Sequence, residues 1–160
     1  MAQKRPTASR TLTGIAAAPG LAAGSAVLWV EQAADIPRQR IGRPAAEKGR
    51  LEAVRQAARA DIQHVRKKVA AETGGAEAAI FDAHLMFLDD AALLKKAHAA
   101  IDEGWNAEAS WSDAVEYFAA QLDGLPDPTL RARAADVRDV GQRVLAHLTG
   151  RPPSVGMSSA

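Results

Sequence analysis

Apolar side chains recur every three or four residues through most of the chain after residue 44, which is the spacing of one face of an α-helix. The first such stretch begins at Pro44, which suits the first turn of a helix because its missing N–H would have no partner there. Gly74 and Gly75 end the stretch, so we predict one long helix. The apolar positions that form its stripe are Leu51, Val54, Ala58, Ile62, Val65 and Val69.

Residues that can cap or stop a helix divide the rest of the chain into four further predicted helices. Because the connections between them are short, neighbouring helices should be antiparallel. The sequence therefore predicts a mainly α fold, with an antiparallel helical bundle over residues 44–150. The four helices begin near Ala76, after Asp89 or Asp90, after Asn106, and at Asp127-Pro128, and the last runs to about Thr149. The residues expected to face inward on the last three are Leu93, Leu94, Ala97, Ile101, Trp111, Val115, Phe118, Leu122, Leu130, Ala134, Val137, Val144 and Leu148.

The segment in front of the bundle has a different pattern. Residues 12–30 hold two short apolar runs separated by Pro19-Gly20, which predicts a strand pair joined by a turn. Two strands alone are marginal in water, so these strands are expected to be part of something larger or to pair with another copy of the chain. Residues 1–11 are predicted to be a disordered arm, and residues 151–160 a tail.

Composition narrows the classes of function. The formal net charge is +1, so no strong field points to nucleic acid or to an anionic membrane. The absence of cysteine excludes disulfides and thiolate metal sites, and it suits a cytoplasmic protein. No apolar run approaches the roughly 20 residues of a membrane span. The apolar run after Lys4 and Arg5 is too short and too broken to predict a signal peptide.

The histidines do not form a recognisable metal or catalytic site. The chain has four, with no His-Glu-x-x-His pair and no two at i, i+4 spacing. A glycine-rich phosphate loop with a lysine is also absent. We therefore predict no catalytic residue and no metal ligand. The basic residues of the first helix could touch phosphates, but we interpret them as its solvated face; they are Arg55, Arg59, Arg66, Lys67 and Lys68.

Residues 78–93 are the most informative stretch, because they are too apolar to be exposed on all sides. Ile80, His84, Phe87 and Leu88 fall at i, i+4, i+7 and i+8, along one stripe. Packing in the core accounts for Ile80 and Leu88, and it is the favoured interpretation on periodicity alone. It accounts less readily for a histidine and for two adjacent acids at the end of the stripe. A partner-docking surface uses this mixture of apolar anchors and a polar rim.

Three stretches of the chain resemble enzyme I of the bacterial phosphoenolpyruvate:sugar phosphotransferase system. Residues 13–24 (TGIAAAPGLAAG) are similar to its start, and residues 79–90 (AIFDAHLMFLDD) resemble its docking-domain signature. Residues 133–143 (RAADVRDVGQR) are similar to its last docking helix. The three stretches occur in the same order as in that family, and the resemblance rests mostly on the middle and last stretches.

The resemblance implies an enzyme that phosphorylates one of its own histidines from phosphoenolpyruvate with Mg²⁺ and passes the phosphoryl group to an HPr-like phosphocarrier protein. In that family a helical docking subdomain is inserted into an α/β subdomain. Residues 12–30 would then be the strand pair of an incomplete phosphohistidine subdomain, and residues 44–150 the HPr-docking domain. No cofactor is expected in this chain, since Mg²⁺ belongs to the full-length family. Carried over by position, the docking residues would be Glu77, His84, Phe87, Asp90, Leu93, Leu122 and Arg133.

Two departures from the family pattern qualify this expectation. The Gly-Gly-x-Thr-Ser-His motif of the active site is absent, so this chain alone is expected to be inactive and to stay unlabelled by phosphoenolpyruvate. The acidic run after the docking histidine is thinner, because Ala91 and Ala92 follow Asp90, which weakens the expected electrostatic steering toward HPr. Three alternatives stay open: a stand-alone, non-catalytic HPr-binding regulator, a segment of a multi-domain phosphoryl-transfer protein, and a helical bundle that has lost docking.

Overall fold

Five α-helices make up most of the chain that this computed structural model describes, which is residues 36–150 with Gly20 and Gly24 as isolated positions. The chain divides into one unit over residues 1–33 and a second over residues 34–160. The predicted arm, strand pair and tail lie outside the described residues. The helices are α1 (Pro44–Glu72), α2 (Gly75–Leu88), α3 (Ala91–Asp102), α4 (Ala107–Asp123) and α5 (Pro128–Leu148).

The helix ends follow the local signals in the sequence. Asp90 caps α3, and its side chain accepts a hydrogen bond from Leu93 N at 2.8 Å. Asp127 caps α5 in the same way, with Pro128 in the first turn. Gly74 separates α1 from α2 with a φ of 112°, a left-handed conformation that favours glycine. The predicted mainly α fold is therefore confirmed for the described residues, with each helix beginning within a residue or two of its expected start.

The core is formed by the apolar stripes of all five helices. Leu51, Ile62 and Leu88 are fully buried, as the periodicity of α1 and α2 predicts. The most extensive helix contact joins α4 and α5, where Trp111 Nε1 donates a hydrogen bond to the carbonyl of Gly141 at 3.1 Å. A Cβ at Gly141 would lie 2.5 Å from Val115 Cγ1, so a side chain there would force the two helices apart.

Three expectations about burial were wrong. Ile80, assigned to the core, is 45% exposed, and Leu130, expected to face inward, is also exposed. Arg55, interpreted as part of a solvated face, is only 9% exposed. Its guanidinium donates to the carbonyl of Leu88 and to Asp89, so it ties α1 to the end of α2 instead of facing water.

A polar network closes the end of the bundle where α3 gives way to α4. The side chain of Asn106 donates to the carbonyl of Pro37 at 2.7 Å and to Glu108 at 2.8 Å, and it accepts from Gln39 N at 3.0 Å. Glu108 is itself buried and ion-paired with Arg50 of α1. The segment that precedes α1 is thus fastened to the start of α4.

Candidate docking surface

Helix α2 is apolar nearly all round, yet only one of its sides is buried. Ala78 and Leu88 face the core, and Phe81 and Leu85 pack against it. A second side is also apolar but lies at the surface, where Met86 is 75% exposed. An all-apolar helix is normally buried all round, so an exposed apolar side is consistent with contact to a further molecule. We call this side the α2 face; it consists of Ala79, Ile80, Ala83 and Met86.

A groove of about 410 Å³ lies at the carboxyl end of α2, where α3 begins and α4 ends. Phe87 lines this groove and directly follows Met86 of the α2 face in the sequence. The α2 face and the groove are therefore neighbours on the helix. The lining is apolar apart from one carboxylate and one amide. The lining residues are Phe87, Asp90, Leu93, Phe118, Gln121, Leu122, Leu125 and Val137.

Four of the seven residues carried over from the family resemblance meet in this groove. Phe87 and Leu122 are half-buried, and both pack against the core from the edge of the bundle. Leu93 is buried and forms part of the floor. Asp90 lies beside it because its cap to Leu93 N fixes the carboxylate at the first turn of α3. The predicted residues Phe87, Asp90, Leu93 and Leu122 are therefore brought together by three different elements.

His84 lies under the surface, one turn before Phe87. It is 6% exposed, and the edge of its ring meets Phe81 at 5.7 Å between ring centroids. Its Nε2 lies 3.8 Å from Asp136 and its Nδ1 lies 3.8 Å from Asp139, both on α5. Neither nitrogen has a hydrogen-bond partner within the described residues. The histidine is thus part of the packing between α2 and α5.

The remaining two carried-over residues do not line the groove. Arg133, on α5, is ion-paired with Asp136 at 2.9 Å and is exposed. Asp136 also approaches His84, so Arg133 is linked to His84 through one carboxylate. Glu77 is exposed in the first turn of α2, at the opposite end of that helix from Phe87.

Sequence reasoning did not assign four of the lining residues to a docking role. Phe118 and Val137 had been assigned to the core, because a groove at the end of a bundle is lined by the same stripe that fills the interior. Gln121 and Leu125 carried no periodic signal. Leu125 precedes a proline in the short α4–α5 connection, and only the position of that connection brings it to the groove.

Carboxylates close to the groove are ion-paired with arginines. Asp89 contacts Arg55 at 2.5 Å and also contacts Arg59. Partial burial raises the pKa of Asp89, but the hydrogen bonds and charges of Arg59 and Arg55 lower it by more. The pKa of Asp89 therefore lies below its usual value. Hydrogen bonding by Arg138 likewise holds the pKa of Glu116 below its usual range, against partial burial.

The arginines of α1 are ion-paired with carboxylates of the protein. Arg66 donates two hydrogen bonds to Asp82, at 2.7 and 3.1 Å, beside a smaller pocket of about 270 Å³. Within residues 36–150 no three histidine, aspartate or glutamate side chains converge to hold a metal ion. Over the same residues, no helix combines the length and the apolar character that a membrane crossing requires.

Comparison with known proteins places these features in context. Residues 13–133 match the model of a family described as PEP-utilising enzyme, N-terminal. A phosphoenolpyruvate-protein phosphotransferase of Streptococcus equinus is 37% identical over 141 residues, which cover 87% of this chain and 24% of the relative. The chain therefore spans about a quarter of that relative's length.

Two solved structures share the fold. The N-terminal domain of Enzyme 1 - Nitrogen superposes with a TM-score of 0.67 at 34% identity, over 72% of this chain and 49% of that one. An NMR solution structure of Enzyme I (nEIt) superposes with a TM-score of 0.69 at 27% identity, over 74% of this chain and 49% of that one. Nearly three quarters of this chain thus shares its fold with about half of each of the two structures.

Proposed function

The chain belongs to the family of N-terminal domains of phosphoenolpyruvate-utilising enzymes, and from that membership we propose that residues 44–150 dock an HPr-like phosphocarrier protein for an enzyme I-like phosphoenolpyruvate-protein phosphotransferase. The observation that carries the proposal is the apolar α2 face continuing into the apolar groove at Phe87. Together these two features are called the docking surface below.

The docking surface has the make-up of a transient protein interface. Its centre is apolar and holds an aromatic ring, Phe87, while charged side chains occupy the surroundings. Transient contacts bury little area, and a few central side chains supply most of their binding energy. Phe87 is placed to act as such an anchor, because it belongs to α2 and to the groove at once. Arg133 and Glu77 would lie toward the rim, and His84 would support Phe87 from beneath.

The rest of the proposed organisation follows from the family. Residues 12–30 would be strands of an α/β subdomain that carries the phosphohistidine, and the parent protein would use Mg²⁺ and phosphoenolpyruvate in the cytoplasm. The active-site motif Gly-Gly-x-Thr-Ser-His does not occur in the 160 residues, so the catalytic step would belong to other parts of such an enzyme. We therefore assign docking, and not phosphoryl transfer, to the residues described above.

The test is a calorimetric titration of the chain with the HPr protein of Streptococcus equinus, the organism of the matched relative. Phe87→Ala should weaken binding at least about tenfold, equivalent to roughly 1.4 kcal/mol. Ile41→Ala is the matched control, because Ile41 is also a half-buried apolar residue packed on the core but lies beside Gly104, away from the groove. Unchanged affinity in a folded Phe87→Ala variant, or no binding by the wild type, would overturn the proposal.

A further inference from the structure

The turn between α2 and α3 supplies two of the residues that line the groove. Phe87 is the second-to-last residue of α2 and Asp90 caps α3, so both belong to one run of four residues. Helix α2 ends at Asp89 with a φ of −101° and a ψ of 6°, without the left-handed glycine that closes many helices. The conformation of this turn therefore determines where Phe87 and Asp90 stand relative to each other.

Arg55 of α1 holds the two residues that lie between Phe87 and Asp90. Its Nη1 donates to the carbonyl of Leu88 at 3.2 Å and to Asp89 Oδ1 at 2.5 Å. Helix α2 has no basic residue in its own last turn, so Arg55 brings a positive charge to its carboxyl end, where the peptide dipoles favour a cation. One guanidinium thus fastens the last carbonyl of α2 and the residue that follows it.

The guanidinium of Arg55 is itself oriented from within α1. Its Nε and Nη2 donate to the two carboxylate oxygens of Glu52, at 2.9 and 2.8 Å, while Nη1 reaches the turn. A planar guanidinium bound through two of its edges has a fixed orientation, which the ammonium group of a lysine does not reproduce. The side chain of Arg55 is only 11% exposed and Leu88 is fully buried, so water competes little for this contact.

A second link between the same two helices provides a comparison. Arg66 of α1 donates two hydrogen bonds to Asp82 of α2, and both side chains are more exposed than that of Arg55. This pair lies beside the smaller pocket, and neither residue lines the groove. Arg55 and Arg66 each carry one positive charge and each link α1 to α2, but only Arg55 holds the turn that carries groove residues.

We propose that Arg55 is a positioning residue for docking, which holds the α2–α3 turn so that Phe87 and Asp90 are in place before the phosphocarrier arrives. The inference rests on the proposed function and adds to it a residue outside the docking surface. A binding surface that is ordered beforehand loses less conformational freedom on association. Loss of the Arg55 guanidinium should therefore weaken binding, although every residue that lines the groove is still present.

Calorimetric titration with the Streptococcus equinus HPr protein compares Arg55→Met with its matched control, Arg66→Met. Each substitution keeps an aliphatic stem but removes one positive charge and one link between α1 and α2. Arg55→Met should weaken binding by about three- to tenfold, whereas Arg66→Met should stay within about twofold of the wild type. Wild-type affinity in a folded Arg55→Met variant, or an equal loss in both variants, would overturn the inference and leave the proposed function intact. No binding by the wild type would overturn both.

Amide hydrogen exchange of the free protein separates positioning from a general loss of stability. In Arg55→Met the N–H groups of Asp89, Asp90 and Leu93 should exchange at least about fivefold faster than in the wild type, because they belong to the released turn. The most protected amides of α4 and α5 should change less. If those amides accelerate by the same factor, Arg55 stabilises the fold in general and the inference fails.

Arg55→Lys tests whether the shape of the guanidinium matters or only its charge. The lysine keeps the positive charge but lacks the planar group that bonds Glu52 and the turn at once, so the affinity for the same HPr protein should fall at least about threefold. Because the charge is preserved, this variant also tests the proposal if Arg55→Met does not fold. Wild-type affinity in Arg55→Lys would overturn the role of the guanidinium.

Discussion

The two ends of the α3–α4 hairpin differ in what they leave unsatisfied: one end pairs its buried polar groups within the protein, and the other end leaves an apolar groove open. At the end where α3 becomes α4, Asn106 and Glu108 are buried, and their side chains are hydrogen-bonded or ion-paired within the protein. At the other end, Phe87 and Leu122 line about 410 Å³ of space that no side chain fills. The first end is complete as it stands, while the second leaves apolar surface that another molecule could cover.

The difference separates residues that hold the fold from residues available for function. Buried polar groups cost free energy when a partner is removed, so a satisfied network resists change. The open side of an apolar groove contributes little to folding, so the parts of side chains that border the open space are free to specify a partner. The two ends should therefore respond oppositely when stability and binding are measured on the same variants.

The largest effect on stability is expected from Asn106→Ala. The substitution removes the partner of the Pro37 carbonyl and of the Gln39 N–H, and it leaves the Glu108 carboxylate with Arg50 alone. Asn106 and Glu108 are buried but Pro37 and Gln39 are exposed, so only part of this loss leaves a buried group unsatisfied, and the free energy of unfolding should fall by about 1–3 kcal/mol. Chemical denaturation measures the change, and HPr affinity of the folded protein should stay the same.

A matched control for that variant exists at the same end. Lys48 and Asp102 form an exposed pair at 2.7 Å. Asp102→Ala should cost less than about 1 kcal/mol, because exposed ion pairs contribute little. If Asn106→Ala and Asp102→Ala cost the same, the polar network is not what holds this end closed.

A smaller and pH-dependent effect is expected from Asp89→Asn. The pKa of Asp89 is lower in the folded chain than its ordinary value of 3.8, because Arg59 and Arg55 outweigh the effect of partial burial. A carboxyl with a lowered folded pKa stabilises the protein above its ordinary pKa, and this contribution is lost as the pH falls through the folded value. The variant should be less stable than wild type by up to about 1 kcal/mol at pH 7, because the amide keeps an acceptor oxygen for Arg55 and Arg59 but loses the negative charge, and this side chain is partly exposed.

Denaturation at several pH values tests the sign of that effect. The difference between Asp89→Asn and wild type should shrink as the pH drops below about 4, since the wild-type carboxyl then becomes protonated. A difference that stays constant from pH 7 down to pH 2 would mean that the charge of Asp89 is not what stabilises the contact between α1 and α2.

The helices could be predicted from the sequence because their signals are local. Pro44, Gly74 and Asp127 act within one turn of their own position, and periodicity identifies the buried stripes. Only part of the role of Asn106 could be predicted from the sequence. It stands before α4 as expected of a cap, but its side chain bonds Gln39 and Pro37, 67 and 69 residues earlier. No local pattern could indicate partners so distant.

The candidate site was predictable only where the family resemblance supplied it. Periodicity placed Ile80 in the core together with Leu88, since a helix with so few polar residues gives little indication of which side faces water. The same rule placed Phe118 in the core without indicating the groove beside it. Exposure on such a helix is decided by how many neighbours pack against it, which depends on the tertiary arrangement. Arg55 was misjudged for the same reason, because its acceptors come from the end of α2.

Filling the groove should weaken binding while changing stability little. Leu122→Phe adds ring atoms to a half-buried side chain that already borders the open space. Because the added volume has room, the free energy of unfolding should change by less than about 1 kcal/mol, below the usual cost of overpacking a closed core. The affinity for the HPr probe should fall at least about tenfold. A stable variant that binds normally would show that the partner does not enter the groove.

The smallest effect on stability is expected on the α2 face, from the double variant Ile80→Thr/Met86→Ser. Both side chains are exposed, and surface substitutions of this kind usually change stability by less than about 0.5 kcal/mol. If the face is contacted by the phosphocarrier, the affinity should nevertheless fall by about three- to tenfold, because part of the apolar contact is removed. Calorimetric titration and chemical denaturation on the same preparation give both quantities. A loss of stability above about 1 kcal/mol would mean that the face is covered by this chain itself, and the contrast with the polar end would then disappear.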